Sequence, residues 1–197
     1  MIRGVVLALI AALAVATQVV AQGVPATRPA DVARLTELDT HLGAAIREAA
    51  GGGAAEDVAH LVAALRGAPR DLDPSGDWSC RVLKLGGLSP LVAYAPFRCR
   101  VSVTAGGWHF EKITGSQRMS GTLAREDGRI VYRGVGYVSG GPALAYVDLP
   151  PDDQTPVEPG QTHAQVGILE VTAADAARLL LPAPILESRF DILVLTR

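Results

Sequence analysis

Two hydrophobic periods divide the chain. Between residues 29 and 66, Val32, Leu35, Leu38, Leu42, Ile46 and Ala49 recur at steps of three and four, which lines one face of an α-helix. Pro29 suits a first helical turn, and Gly51-Gly52-Gly53 supplies the stop. Val58, Leu61, Val62 and Leu65 repeat the spacing, with Gly67 and Pro69 closing the second helix. The pattern predicts a helical hairpin hinged at the triple glycine. No phosphate-loop lysine follows those glycines, so they do not form a nucleotide cradle.

From Asp71 onward the period shortens to two, with turn residues at short intervals. The strands expected are Asp77–Leu85, Val92–Val103, Trp108–Thr114, Gln117–Arg125, Arg129–Val138, Ala143–Val147, Ala164–Thr172 and Phe190–Leu195. Turns fall at Gly86-Gly87, Gly106-Gly107, Asp127-Gly128 and Gly140-Gly141-Pro142. Ala173–Leu180 fits a helix or a strand equally well. Residues 148–162 hold Pro150, Pro151, Pro156 and Pro159 with four acidic residues, and read as an exposed loop. Short strands at this spacing predict an antiparallel meander curled into a half-barrel or barrel. The expected fold is therefore α+β, with a linker and helical hairpin over 22–70 and an antiparallel β domain over 71–197.

Ahead of both lies a different kind of segment. Arg3 precedes an unbroken apolar run from Val5 to Ala16, and Val19-Val20-Ala21 places modest side chains at the −3 and −1 positions. That is the layout of a secretory signal peptide over residues 1–21, cleaved after Ala21. The alternative is an uncleaved anchor, for which the run is short of the roughly 20 residues a span needs. The expectation is a soluble periplasmic or secreted protein with no transmembrane segment after cleavage.

Composition adds mostly exclusions. With 18 basic and 20 acidic residues and a net charge of −2, the chain lacks the footprint of a general nucleic-acid binder. Cys80 and Cys99 are its only cysteines. If the strands holding them pair, Trp78, Cys80 and Val82 share one face of the first and Phe97, Cys99, Val101 and Val103 share one face of the other, with both thiols on the same apolar side. In an oxidising compartment such a pair forms a disulfide. Buried free thiols and a redox-active pair are the rival readings.

The stretch Gly76-Asp77-Trp78-Ser79-Cys80-Arg81-Val82-Leu83-Lys84-Leu85-Gly86-Gly87 is followed by Pro96-Phe97-Arg98-Cys99-Arg100 and Glu111-Lys112-Ile113-Thr114-Gly115-Ser116-Gln117-Arg118. With the closing Leu181-Pro182-Ala183-Pro184-Ile185-Leu186-Glu187-Ser188 and Phe190-Asp191, it resembles a family of uncharacterised exported bacterial proteins, domain of unknown function 4893. The resemblance runs over about residues 30–197 and implies no catalytic residue. More loosely, Gly76-Asp77-Trp78 is similar to the Gly-x-Trp of calycin-type barrels, which include the lipocalins and small exported protease inhibitors. The helical segment departs from the lipocalin plan, so this likeness implies architecture only.

Catalytic motifs are missing. No serine lies in a Gly-x-Ser-x-Gly elbow, and Ser-x-x-Lys does not occur. His41 and His60 each follow a glutamate by four residues, the spacing of a solvated helix pair. His109 and Glu111 share a strand face, but neither a Pro-Cys-x-x-Cys nor a His-Glu-x-x-His accompanies them, so no metal or cofactor is expected. One basic cluster stands out. Strand parity places Arg81, Arg98 and Arg100 opposite the cysteines, with Gln117 and Arg118 close enough in the pattern to join them. Forked donors of this kind recognise carboxylate, phosphate or sulfate groups. The plainer reading is a solvated sheet face with internal ion pairs to Asp77 and Glu111. The leading expectation is a non-enzymatic binding module of the cell envelope for a protein or a small anionic or apolar ligand. An assembly factor docking through its helical hairpin and a hydrolase without a recognisable motif are the alternatives.

Overall fold

The computed structural model describes residues 23–197; the expected signal segment 1–21 lies outside the described residues. Three helices precede nine strands: α1 (Pro29–Thr36), α2 (Leu38–Gly52), α3 (Ala55–Ala64), then β1 (Gly76–Leu85), β2 (Leu91–Ala93), β3 (Phe97–Thr104), β4 (Gly107–Lys112), β5 (Gln117–Glu126), β6 (Arg129–Val138), β7 (His163–Ala173), β8 (Ala176–Pro182) and β9 (Phe190–Thr196). Eight of the strands form a closed antiparallel barrel. β3 to β9 run as a meander, and β1 closes it by pairing with β9 on one side and β3 on the other. The short β2 pairs with β1 beyond the ladder to β3. No described helix is long and apolar enough to cross a membrane.

The barrel interior is packed, not hollow. Trp78, Cys80, Val101, Phe110, Leu123, Leu179 and Leu195 meet there, with the Phe110 and Tyr132 rings edge to face at 5.8 Å. A second apolar layer lies outside, where Leu83, Leu85, Phe190 and Ile192 of β1 and β9 face Leu38, Ala45, Ala49, Leu61 and Ala64 of the helices. β1, β8 and β9 are thus covered on both faces. The ambiguous Ala173–Leu180 is mostly strand β8 for this reason: Ala177, Leu179 and Leu181 fill the lumen while Leu180 meets the helix side. A strand buried on both faces loses the alternation that would have marked it.

Three expectations need correction. The first helix is two, because the chain breaks at Glu37 (φ −97°, ψ 17°), beside a Thr36 hydroxyl that donates to the Val32 carbonyl at 2.9 Å. The helices make their main contacts with the barrel and not with one another. The expected strand Val92–Val103 is split into β2 and β3 by Tyr94-Ala95-Pro96, since proline has no N–H to give a ladder. Ala143–Val147 is no strand. Tyr146 opens a 3-10 turn, and its hydroxyl donates to Asp31 Oδ2 at 2.7 Å instead of its backbone joining the sheet. The Asp127-Gly128 turn is as expected: both residues have positive φ (47° and 77°), the two-residue connection whose twist suits a hairpin.

Two buried arginines fasten the helices. Arg178 on the outer face of β8 pairs with Glu170 at 2.6 Å and donates to the carbonyl of Ala64, the last residue of α3, and to those of Arg66 and Gly67 just beyond it. These carbonyls have no partner within the helix. Arg34 of α1 pairs with the fully buried Asp31 at 2.8 Å and reaches the carbonyls of Pro182 and Ala164. Arg28 donates to the carbonyls of Pro150 and Asp153, so the same cluster holds the proline-rich segment after Tyr146.

Candidate functional site

Strand direction decides where polar side chains enter the barrel. The apolar fill occupies the lumen up to Val82, Met119 and Leu193. Beyond it, at the end where β1, β4, β6 and β8 finish, the inward positions become Lys84, Lys112, Gln117, His163, Gln165 and Asp191. They ring a cavity of about 310 Å³, open to solvent, with Pro184, Leu186 and Glu187 of the β8–β9 loop at its rim. Glycine at position 136 keeps it open. An added Cβ there would lie 2.6 Å from His163 Nε2 and 2.9 Å from Gln165 Nε2.

The polar groups differ in how much hydrogen bonding they have left. The Lys112 ammonium donates to the Thr114 and Gln117 carbonyls at 2.9 and 2.6 Å and sits 3.8 Å over the Phe97 ring. Burial, together with the nearby Arg118 and Lys84 charges, pulls its pKa down to about 8. Lys84 pairs with Glu187 and donates to Gln117 Oε1 at 3.1 Å, while Gln117 Nε2 donates back to Glu187 at 3.1 Å. These contacts hold the Glu187 carboxyl below its ordinary range, the Lys84 bond being the largest cause.

Asp191 faces the lumen from β9, largely buried, and burial pushes its carboxyl up to about 6. It accepts a bond from the Ser188 hydroxyl at 2.5 Å. His163 is buried and its pKa is lowered by desolvation. Its Nδ1 lies 2.8 Å from the Gln161 carbonyl, which can only accept, so Nδ1 carries the ring proton. Nε2 is then a lone-pair acceptor. The neighbouring Gln165 Oε1 is buried with no hydrogen-bond partner among the described residues.

The expected site residues are distributed over more than one place. Gln117 and Arg118 line the mouth, and Arg118 donates to Ser139 Oγ at 3.3 Å. Arg81, Arg98 and Arg100 do not line it. Arg98 and Arg100 stand on the outer wall of β3, where Arg100 pairs with the exposed Asp77 at 2.6 Å and Arg98 adds its field to the same carboxylate. The Arg100 pair is one of the internal contacts that the plainer reading anticipated. Arg81 donates to the Tyr94 carbonyl and lines a separate groove between α3 and the barrel wall. Cys80 and Cys99 form a disulfide inside the barrel, with Cα atoms 5.9 Å apart. The register makes it diagonal, since Cys80 opposes Phe97 and Cys99 opposes Trp78. His109 and Glu111 come within 3.9 Å of each other on the exposed face, and the described residues hold no cluster of three or more His, Cys, Asp or Glu suited to a metal.

Lys84, Lys112, His163, Gln165 and Asp191 were not among the site residues expected from sequence. The available signal was parity. Each is a polar residue on the same strand face as lumen residues, as Lys84 is with Cys80 and Val82, or Asp191 with Leu193 and Leu195. No curated protein and no solved structure matches the chain. A family model does match, over residues 25–195, nearly the whole described chain. The protein belongs to the family described as domain of unknown function DUF4893.

Proposed function

We propose that this protein is an exported, non-enzymatic binding module whose site is the mouth of the barrel, and that its ligand is a small molecule. One observation carries the reading: a closed barrel, packed below, ends in a cavity of about 310 Å³ ringed by polar groups with unspent hydrogen bonding. That volume is at the small end of ligand pockets, about 300–1,000 Å³. Gln117 and Arg118 are its binding residues nearest the rim. Export rests on the layout of residues 1–21 and agrees with a buried disulfide, a bond that persists in oxidising compartments.

The alternatives gain less. The helices turn Leu38, Ala45, Ala49, Leu61 and Ala64 against the barrel, which leaves few large apolar side chains, chiefly Val32 and Val62, for a docking partner. For hydrolysis, the shifted Asp191, Lys112 and His163 would be of interest. Yet Ser188 Oγ is bonded to Asp191 and to no histidine among the described residues, so it is not an activated nucleophile.

The test is native mass spectrometry of the protein recovered from its own cell envelope. The mature chain is expected to begin at Gln22 and to carry one small molecule. Val138→Trp, at the cavity rim, should lose that adduct, whereas Arg98→Ala on the outer wall should keep it. Retention by Val138→Trp, or an adduct that is only another protein, would overturn the reading.

A further inference from the structure

We infer that the ligand of the barrel mouth is a small hydroxylated carboxylic acid, its carboxylate taken by Arg118 and Lys84 and its hydroxyl donating to His163 Nε2 while accepting from Gln165 Nε2. This rests on the reading of the mouth as a binding site and adds the chemistry of what fills it.

An acceptor and a donor define one side. The proton on His163 Nδ1 is committed to the Gln161 carbonyl, so Nε2 offers a lone pair. Gln165 brings its amide Nε2, a donor, to the same place, while its Oε1 is enclosed. Both side chains converge over Gly136, where an added Cβ would collide with them. An imidazole lone pair left without a donor calls for a ligand that donates. A hydroxyl or an ammonium group would serve.

Charge decides between them. Lys84, Lys112 and Arg118 face the mouth against the carboxylates of Glu187 and Asp191, and Glu187 is already spent on Lys84 and Gln117. The Lys112 ammonium is disfavoured first by burial and further by the two cations beside it. Another ammonium would add to that repulsion, while a carboxylate would relieve it. The donor is therefore a hydroxyl, and the charged end of the ligand is an anion. Arg118 uses only a bond to Ser139 among the described residues, which leaves its fork for bidentate capture. Lys84 gives two of its three protons to Gln117 and Glu187 and keeps one. Lys112 is held by two carbonyls and an aromatic face, so it contributes field and not a contact. Val82, Met119 and Leu193 form an apolar floor for the carbon skeleton.

Calorimetric titration tests this with lactate, tartrate and gluconate as probes, against glucose (hydroxyls alone) and hexanoate (a carboxylate alone). At least one hydroxy acid should bind, with glucose and hexanoate at least tenfold weaker. Gln165→Leu, which keeps the volume, and Arg118→Ala should each weaken that binding at least tenfold with the thermal midpoint little changed. The ¹⁵N resonance of His163 Nε2 should move on saturation while Nδ1 stays protonated. The inference is overturned if no hydroxy acid binds, if glucose or hexanoate binds as well, or if Arg118→Ala leaves affinity unchanged. Were the adduct recovered from the envelope a neutral or cationic molecule still lost in Val138→Trp, the ligand class would fail and the site would stand. Were Val138→Trp without effect on it, both would fall.

Discussion

Asp191 shows how one position can oppose the fold it belongs to. Its carboxyl, ordinarily at 3.8, is raised to about 6 by enclosure in the barrel. Between those values the native chain holds a proton that the unfolded chain has released, so stability rises as pH falls from about 6 toward 4. Above pH 6 the full penalty is present. Asp191→Asn should therefore stabilise the protein at pH 7.5 by roughly 3 kcal/mol, because each tenfold change in proton affinity is worth about 1.4 kcal/mol. The gain should vanish near pH 4, as measured by urea unfolding at both pH values. Lys112 works in the opposite window. Its pKa is depressed from 10.5 to about 8, so stability should rise with pH through that interval. From about pH 6 to 8 both buried charges are present together. Neither residue was legible as a site residue in sequence, because a lone Asp or Lys in a strand is ordinarily a solvated one. Only the neighbours across the lumen make these two unusual.

At the scale of elements, the strands follow their alternation and the helices follow their docking. β1, β6 and β9 match their expected bounds closely because turn residues flank clear apolar positions, as Asp127-Gly128 does before β6. α3 depends on a partner far along the chain. The carbonyl of its last residue and two just beyond it are met by Arg178, more than a hundred residues later. Arg178→Met keeps most of the apolar stem but strips the cap and leaves Glu170 unpaired. It should cost about 2–3 kcal/mol and raise amide exchange over residues 55–64, with the barrel strands protected as before. Unchanged exchange in α3 would show that apolar burial alone holds the helix. No local pattern announces such a cap, since an arginine in a strand looks the same whether it meets solvent or a helix end.

The whole molecule is a closed sheet, and closure depends on β1. Its ladder to β3 runs only from Gly76↔Val101 to Cys80↔Phe97, after which the partner on that side becomes β2. The Cys80–Cys99 bond crosses this seam from within the lumen, where both sulfur-bearing side chains are almost wholly enclosed. Closing a loop of about 20 residues is valued at roughly 3 kcal/mol in the chain-entropy account. Cys80→Ser should then lower unfolding free energy by about 2–5 kcal/mol in denaturant titration. The loss should be the same with and without reductant in the variant, while the parent loses stability only when reduced. A parent equally stable after complete reduction would remove the bond from the account of the fold.

Taken alone, the sequence determined the class of structure: helices first, then an antiparallel meander, with two cysteines on one apolar face. Those features rest on local periodicity and on parity along single strands, and both are properties of neighbouring residues. It also supplied Gln117 and Arg118 as candidate binding residues, by way of a basic cluster that included Arg81, Arg98 and Arg100. Closure of the barrel was left open because it requires β1 to meet β9, whose pairing residues are more than a hundred positions apart. The tertiary structure decided the rest. It set which polar residues share one end of the lumen, split the basic cluster between the mouth and the outer wall, and matched Arg178 to α3. The mouth itself is a meeting of β1, β4, β5, β6, β7 and β9 at one level of the barrel. That level is fixed by register around the closed sheet, a long-range quantity that no stretch of sequence carries.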